Sequence, residues 1–351
     1  MKKALCLCLA VSILFGMFCT VSYADDKGRG YTKDFLMKAN KYDIDLDGKV
    51  SVNEARKVLR VASGIEEKTD EMNYDFDGDG IVSSIDASQA LKASLGLIVT
   101  GTVSNEDKVS FLNSQLNWVK TRKPGFTGTS TSTCKSMKVT TTGAPVSSLN
   151  VTDTEYVEYV KKMKSLMTLA GMKDDYEKML KEAEDAYKPQ VTSITVDSAN
   201  SKHYTKFPVN GYSWASKLTA NDIKSIVYSV SGGYLTMTAT FGKYSYTGET
   251  YPTKSSELQN IPYGKIFNLP SVTPTTGDGD YKLNSLVMHD GKIVIKVDIA
   301  SGNVVKADYS YAYEMVCSSE KAMGDGDGST VNMTMKPVST ITESFVINSA
   351  D

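Results

Sequence analysis

Residues 43–51 read Asp-Ile-Asp-Leu-Asp-Gly-Lys-Val-Ser, and residues 75–83 read Asp-Phe-Asp-Gly-Asp-Gly-Ile-Val-Ser. The two stretches correspond at an offset of 32 residues, and the correspondence continues to Gly64 and Gly96. A single Asp-Gly run would be typical of a surface turn. Two runs in register, each followed by a matching segment, predict two copies of one structural unit.

The spacing of the acidic residues in each copy is that of a calcium loop. Carboxylates at positions 1, 3 and 5 converge on a hard cation, glycine at position 6 allows a sharp turn, position 7 supplies a carbonyl oxygen, and position 12 supplies an acid. The predicted ligands are Asp43, Asp45, Asp47, Lys49 and Glu54 in the first loop and Asp75, Asp77, Asp79, Ile81 and Asp86 in the second. The sequence therefore predicts two bound Ca²⁺ ions.

Each loop is followed by a helical pattern. The residues at helical spacing are Ala55, Val58, Leu59 and Ala62 after the first loop and Ala87, Ala90, Leu91 and Ser94 after the second. Each pattern ends at a glycine, which is typical of a helix C-terminus. The segment Thr32–Tyr42 has the composition of a short incoming helix. Residues 33–97 are therefore predicted to form a small all-α calcium-loop domain.

The charge distribution agrees with a cation site. The 351-residue chain has 39 basic and 41 acidic residues, a balance that excludes a basic nucleic-acid-binding protein. Between residues 40 and 97, however, twelve acidic side chains face seven basic ones. The excess negative charge is concentrated in the repeat.

The segment Asp43–Leu97 resembles a dockerin of the type I class, a tandem calcium-loop module that docks exported proteins onto cohesin domains of cellulosome-type scaffolds. The resemblance rests on the doubled loop-and-helix unit, in which Asp86 fits the family pattern at position 12 and Glu54 is more typical of a general EF-hand. It implies a cohesin-type partner. The positions that contact the partner in this family fall on Val52, Asn53, Leu59, Arg60, Ser84, Ile85, Leu91 and Lys92.

The first residues have the pattern of a secretory signal peptide. Lys2 and Lys3 precede an apolar run from Ala4 to Phe18, and small residues lead to Ala24. The run is short for a membrane span. We therefore expect cleavage near Ala24 and a secreted protein.

Residues 105–351 are predicted to be an α+β module, with helices packed on an antiparallel sheet, joined to the repeat by a linker at residues 98–104. Ser104 is expected to cap a helix that ends before Lys123. From residue 191 onward, apolar and polar side chains alternate with a period of two, as in half-buried antiparallel strands. Parts of this region are similar to uncharacterised modules of secreted bacterial proteins, a resemblance that implies a discrete module and no particular chemistry.

Local signals in this region predict individual elements. The alternating Thr and Ser residues of Phe126–Thr142 favour a strand, although a Ser/Thr-rich linker would look similar. Thr152 and Glu155 have the spacing of a helix capping box. The dipeptide Asp290-Gly291 predicts a hairpin turn between two short strands.

The large module carries weak signals for chemistry. Gly211-Tyr-Ser213-Trp-Ala215, with His289 downstream, is close to a nucleophile elbow, but it lies among predicted antiparallel strands. Tyr309, Tyr311 and Tyr313 share one strand face and could stack on sugars or simply pack against neighbouring strands. Cys134 and Cys317 could form one disulfide or remain buried thiols.

The expected function is an exported calcium-binding, dockerin-like protein that tethers a non-catalytic module to a cohesin-type scaffold. The alternatives are a carbohydrate-binding module or a small glycoside-active enzyme delivered by the same dockerin-like repeat. In these alternatives a polysaccharide is the ligand or the substrate.

Overall fold

The computed structural model describes residues 29–69, 73–98, 101, 103–144, 146–198, 216–248, 250–252, 255–267, 269, 282–322 and 330–348. The predicted signal peptide and the elbow around Ser213 lie outside these ranges.

Helices are short apart from one. They are α1 (29–39), α2 (Val52–Ala62), α3 (Ser84–Ser94), α4 (Asn105–Arg122), α5 (Tyr156–Lys162), α6 (Lys164–Leu169) and α7 (Lys173–Asp185). The strands are β1 (Phe126–Thr142), β2 (Val151–Glu155), β3 (Gln190–Val196), β4 (Ser225–Ser231), β5 (Tyr234–Thr240), β6 (Tyr244–Thr247), β7 (Lys282–Asp298), β8 (Val304–Ala322) and β9 (Thr330–Ile347).

In the described part of the chain these strands form one nine-stranded sheet. Its order is β2-β1-β9-β8-β7-β5-β4, with β3 also paired to β1 and β6 also paired to β7. All of the pairings are antiparallel. The four strands β1, β7, β8 and β9 are each 17 to 19 residues long and form the continuous centre of the sheet.

The predicted fold class is wrong. The chain is not a small all-α domain followed by an α+β module; the described residues are mostly one antiparallel sheet with few helices. The strands are longer than the turn signals suggested, and α5 and α6 have only seven and six residues. In addition, α1 packs with the sheet: Phe35 stacks on Phe111 of α4, with ring centroids 4.5 Å apart, and meets Tyr228 of β4 edge-on.

The main core lies between one face of the sheet and the helices α1 and α4. Buried apolar side chains from every second residue of β5 and β7 form its centre, among them Leu235, Met237, Ile293, Ile295 and Val297. Burial of each such side chain is worth about 1.5–3 kcal/mol. The alternation read from the sequence is the physical origin of this layer.

The loop-and-helix repeat has a smaller core that follows its internal symmetry. Tyr42 and Tyr74, which are 32 residues apart, are both buried there, as are Ala55 and Ala87. The phenol of Tyr42 donates a hydrogen bond to Gln89 Oε1 at 3.1 Å, which joins the two copies. The sequence repeat is thus also a repeat of packing.

Several local predictions can be compared with the described elements. Ser104 caps α4, the helix ends at Arg122, and Phe126–Thr142 is a strand rather than a linker. The predicted capping box at Thr152 and Glu155 is wrong, because these residues belong to β2. The predicted hairpin at Asp290-Gly291 is also wrong: β7 runs through both residues with a register shift against β8.

Candidate metal-binding loops

The first loop is held by its own carboxylates. Asp43 is buried, and its Oδ2 accepts a hydrogen bond from the Gly48 amide at 2.9 Å. Asp45 Oδ1 accepts from the Asp47 amide at 3.2 Å, and Asp47 Oδ1 accepts from the Lys49 amide at 2.8 Å. The chain therefore folds around the side chains at positions 1, 3 and 5.

The second loop repeats this arrangement. Asp75 Oδ2 accepts from the Gly80 amide at 2.8 Å, Asp77 Oδ1 accepts from the Asp79 amide at 3.2 Å, and Asp79 Oδ1 accepts from the Ile81 amide at 2.8 Å. The two position-6 glycines have φ values of 88° and 87°, in the left-handed region that favours glycine.

The residues at position 12 behave differently in the two loops. Glu54 Oε2 accepts hydrogen bonds from the Ser51 amide and hydroxyl at 2.6 and 2.7 Å. Asp86 makes the equivalent bonds to Ser83, and its second oxygen also accepts from the Phe76 amide at 2.7 Å. Both acids thus complete a capping box, and Asp86 in addition closes its loop from the helix side.

Sequence reasoning missed Ser51 and Ser83. Each is the N-cap of the helix that follows its loop, with the position-12 acid at the third helical position. The available signal was the Ser-x-x-Glu and Ser-x-x-Asp spacing of a capping box. These two serines fix the direction in which each acid points.

Two groups of carboxylates converge. Side-chain oxygens of Asp43, Asp45 and Asp47 lie within 4.8 Å of one another, and so do those of Asp75, Asp77 and Asp86. Glu54 and Asp79 are not part of these groups. Each group could hold a metal ion, and the donors are all carboxylate oxygens.

Crowding of the carboxylates affects their ionisation. Burial raises the pKa of Asp43 to about 7, and repulsion from Asp45 and Asp47 adds to the effect despite the Gly48 amide. The Asp79 amide favours the charged form of Asp77, but desolvation and the neighbouring carboxylates outweigh it, and the pKa of Asp77 is raised. A cation between these oxygens would relieve this repulsion.

Asp86 shows the opposite balance. Its burial disfavours the charged form, but hydrogen bonds from the amides of Ser83, Phe76 and Asp77 stabilise it, and its pKa is lowered. A charged, fully buried carboxylate thus faces the second loop.

The predicted partner-contacting residues are all at the surface. Val52, Leu59, Ile85 and Leu91 are 53%, 47%, 57% and 40% exposed, although they are large and apolar. Asn53, Arg60, Ser84 and Lys92 are exposed beside them. We refer to these eight residues as the helix-pair surface.

The other candidate sites are the tyrosine face of β8 and the predicted nucleophile elbow with His289. Tyr309 and Tyr311 are buried in the main core, where they cannot stack on a sugar from solvent, and burial raises the pKa of both phenols. His289 Nδ1 lies 2.8 Å from Asp290 Oδ2, and its Nε2 lies 3.4 Å from Glu314 Oε1. Ser213, the nucleophile of the predicted elbow, lies outside the described residues.

The two cysteines of β1 and β8 are separate thiols. Cys134 and Cys317 are both free, and each is half-buried. Cys134 pairs with Ser339 of β9, whereas Cys317 pairs with Met335 of the same strand. The sheet register therefore places β9 between them.

Comparison of the chain with protein-family models, with curated proteins and with solved structures gives no match. Among the described residues, no helix has both the length and the apolar character needed to span a membrane.

Proposed function

We propose that residues 43–54 and 75–86 are two calcium-binding loops, each holding one Ca²⁺ ion. The observation that carries this proposal is the matched geometry at positions 1, 3, 5 and 6, where equivalent hydrogen bonds differ by 0.1 Å or less. Such agreement between two loops of one chain indicates a common ligand rather than two unrelated turns.

The chemistry of the donors favours calcium over other metals. Both groups offer only carboxylate oxygens, which are hard donors, and contain neither the cysteine nor the histidine that zinc and copper prefer. Magnesium requires nearly ideal octahedral geometry, whereas calcium accepts the irregular oxygen shell that a flexible loop supplies. Two Ca²⁺ ions would also add four positive charges to the acidic repeat.

We further propose that the helix-pair surface docks to a cohesin-type domain, as the dockerin resemblance implies. Four large apolar side chains exposed on two adjacent helices are unusual for a surface without a partner. Arg60 and Lys92 flank them, so the surface suits a partner with an apolar patch rimmed by acidic groups. Export, inferred from residues 1–24, would bring the protein to such a scaffold.

The docking proposal is tested by capture on a panel of cohesin domains, with calcium and with EDTA. Leu59→Asp and Leu91→Asp should each abolish capture, because a buried interface cannot accept an unpaired carboxylate. Leu169→Asp is the control, since Leu169 is 87% exposed on α6, outside the helix-pair surface. Capture that persists in EDTA, or after both substitutions, would reject docking.

A second candidate function is supported by a cleft on the opposite side of the sheet from α4. The cleft has a volume of about 280 Å³ and crosses β7, β8, β9 and β1. Hydroxyl and charged side chains line it, including Thr129, Lys292, Asp308, Ser310, Thr342 and Ser344. Such a lining suits a polyhydroxylated ligand. Affinity electrophoresis on soluble polysaccharides tests this function, with Thr342→Val as the variant.

A further inference from the structure

The two loops differ in their surroundings, although their hydrogen bonds at positions 1, 3, 5 and 6 match. Gly48 lies against β4: a Cβ atom added to Gly48 would lie 2.4 Å from the Cβ of Val230 and 2.8 Å from its Cγ1. Among the described residues, a Cβ atom added at the equivalent Gly80 would meet nothing within 4 Å. The first loop is therefore in contact with the sheet, and the turn of the second loop at Gly80 is open.

Position 4 of the loops shows the same asymmetry. The second loop has Gly78 there, with φ of 80°, whereas the first loop has Leu46 with φ of 58°. A leucine in the left-handed region is strained and persists only where its surroundings fix it. Here the Leu46 side chain packs against the main core of the sheet.

The helix that precedes the first loop is also anchored to the sheet and to α4. Phe35 of α1 packs on Tyr228, two residues before Val230 in β4. Thr32 of the same helix accepts a buried hydrogen bond from Gln115 Nε2 of α4 at 2.8 Å. The first loop thus extends a continuous contact between α1, α4 and the edge strand β4.

We propose that the first loop is a calcium-dependent brace of the β-sheet, in which calcium bound by Asp43, Asp45 and Asp47 stabilises the main core through Leu46 and Gly48. Calcium orders the loop that carries these two residues. A ligand that binds only the folded form of a protein stabilises that form, and here the folded form includes the contact between the first loop and the sheet. The second loop lacks both contacts, so its ion stabilises the helix repeat alone. This inference rests on the proposed calcium binding.

Trp118 provides a reporter for the sheet. It lies on α4 and lines a small cleft with Val304 of β8 and Ile347 of β9. In the full chain with Trp214→Phe, urea unfolding followed by Trp118 fluorescence reports the main core. We expect calcium to move this transition to higher urea than EDTA does.

The matched pair Asp45→Ala and Asp77→Ala separates the loops, because both residues are exposed, both stand at position 3, and both accept one bond of 3.2 Å. Asp45→Ala should remove the calcium-induced shift of the Trp118 transition, and Asp77→Ala should keep it. Equal shifts in the two variants, or loss in Asp77→Ala alone, would overturn the brace.

Leu46→Gly distinguishes the brace from calcium binding itself. The substitution gives the first loop the glycine of the second, so calorimetry should still find two ions, while the calcium-induced shift should shrink because only the contact of Gly48 with Val230 is left. Two bound ions with an unchanged shift would overturn the brace and leave the proposed function standing. No calcium uptake by the parent chain would overturn both.

A comparison in EDTA tests the contact without metal. Gly48→Ala and Gly80→Ala impose the same backbone strain. If Gly48→Ala lowers the urea midpoint of the Trp118 transition more than Gly80→Ala does, the excess reports the clash with Val230. Adding Val230→Gly, which also removes the Cβ that lies 2.4 Å away, should recover part of that excess. Equal midpoints for the two alanine variants would show that the first loop does not contact the sheet and would overturn the brace.

Discussion

The carboxylate of Asp43 accepts a hydrogen bond from the amide of Gly48 at 2.9 Å, with four residues of a tight loop between them. Asp75 and Gly80 make the same bond at 2.8 Å. In both loops, the carboxylate at position 1 therefore holds the turn through a hydrogen bond from the backbone of the loop itself. The loops are shaped for convergence of carboxylates, and the negative charge they gather is what a calcium ion would neutralise.

Removal of the helix caps should weaken the repeat. Ser51→Ala and Ser83→Ala each delete a hydroxyl that accepts a hydrogen bond from the second amide of the helix, that of Asn53 or Ile85, and donates to the position-12 acid. The expected cost is about 1 kcal/mol of unfolding free energy each. Urea unfolding in EDTA measures it, with Ser88→Ala at an exposed position of α3 as the control that should not destabilise the chain. Equal effects at all three positions would contradict the capping role.

The pair Asp222–Lys265 predicts a pH dependence. Lys265 Nζ lies 2.7 and 2.8 Å from the two carboxylate oxygens of buried Asp222. Burial opposes ionisation, but Lys265 and the Thr219 amide outweigh it, and the pKa of Asp222 is lowered. The ionised carboxylate of Asp222 therefore contributes its full stabilisation of the folded chain above the unfolded pKa of about 3.9. This stabilisation is lost as the pH falls from there through the folded pKa.

Asp222→Asn should lower the unfolding free energy by roughly 2 kcal/mol at pH 7. The difference from the parent chain should shrink below about pH 4. The exposed pair Lys161–Glu158 is the control, since Lys161→Met should leave the unfolding free energy nearly unchanged because solvent screens the pair. If the difference in unfolding free energy between Asp222→Asn and the parent chain were the same at pH 7 and at pH 2, ionisation of Asp222 would not be the source of the stabilisation.

The two faces of the sheet should respond differently to the same substitution. Val297 of β7 is fully buried in the main core, whereas Val227 of β4 is 59% exposed. Val297→Ala removes buried apolar atoms and leaves a cavity, at an expected cost of about 2 kcal/mol. Val227→Ala should cost less than about 0.5 kcal/mol. Chemical unfolding of both variants checks the orientation of the sheet, and a reversed order would contradict it.

The thiols of Cys134 and Cys317 should be unbridged and slow to react. Burial raises the pKa of both, which lowers the thiolate fraction near neutral pH. Iodoacetamide without reductant should modify both residues fully in denaturant and slowly in the native chain, as measured by peptide mass mapping. A Cys134–Cys317 cross-linked peptide would contradict the sheet register.

Elements with local causes could be predicted from the sequence. The Ser104 cap of α4 depends on Asp107, three residues away, and the turn at Gly232-Gly233 depends on glycines that can adopt positive φ. The calcium-type loops belong to the same class, because their ligands lie within twelve residues. In each case the determining contacts are close in sequence.

Elements decided by distant contacts could not be predicted. Asp290-Gly291 has a turn sequence, but the Gly291 amide donates to the Tyr263 hydroxyl and its carbonyl accepts from Phe241. Likewise, Thr154 of β2 pairs with Val139 of β1, and this pairing overrides the capping-box pattern. The contact of Gly48 with Val230 joins residues 182 positions apart in the numbering and leaves no local signature.

Isothermal titration calorimetry of the metal-free chain with calcium tests the central claim most directly. Two ions should bind per chain, and Asp45→Ala and Asp77→Ala should each reduce the number to one. EDTA should reverse the binding. A chain that takes up no calcium, or variants that still bind two ions, would contradict the assignment of these loops.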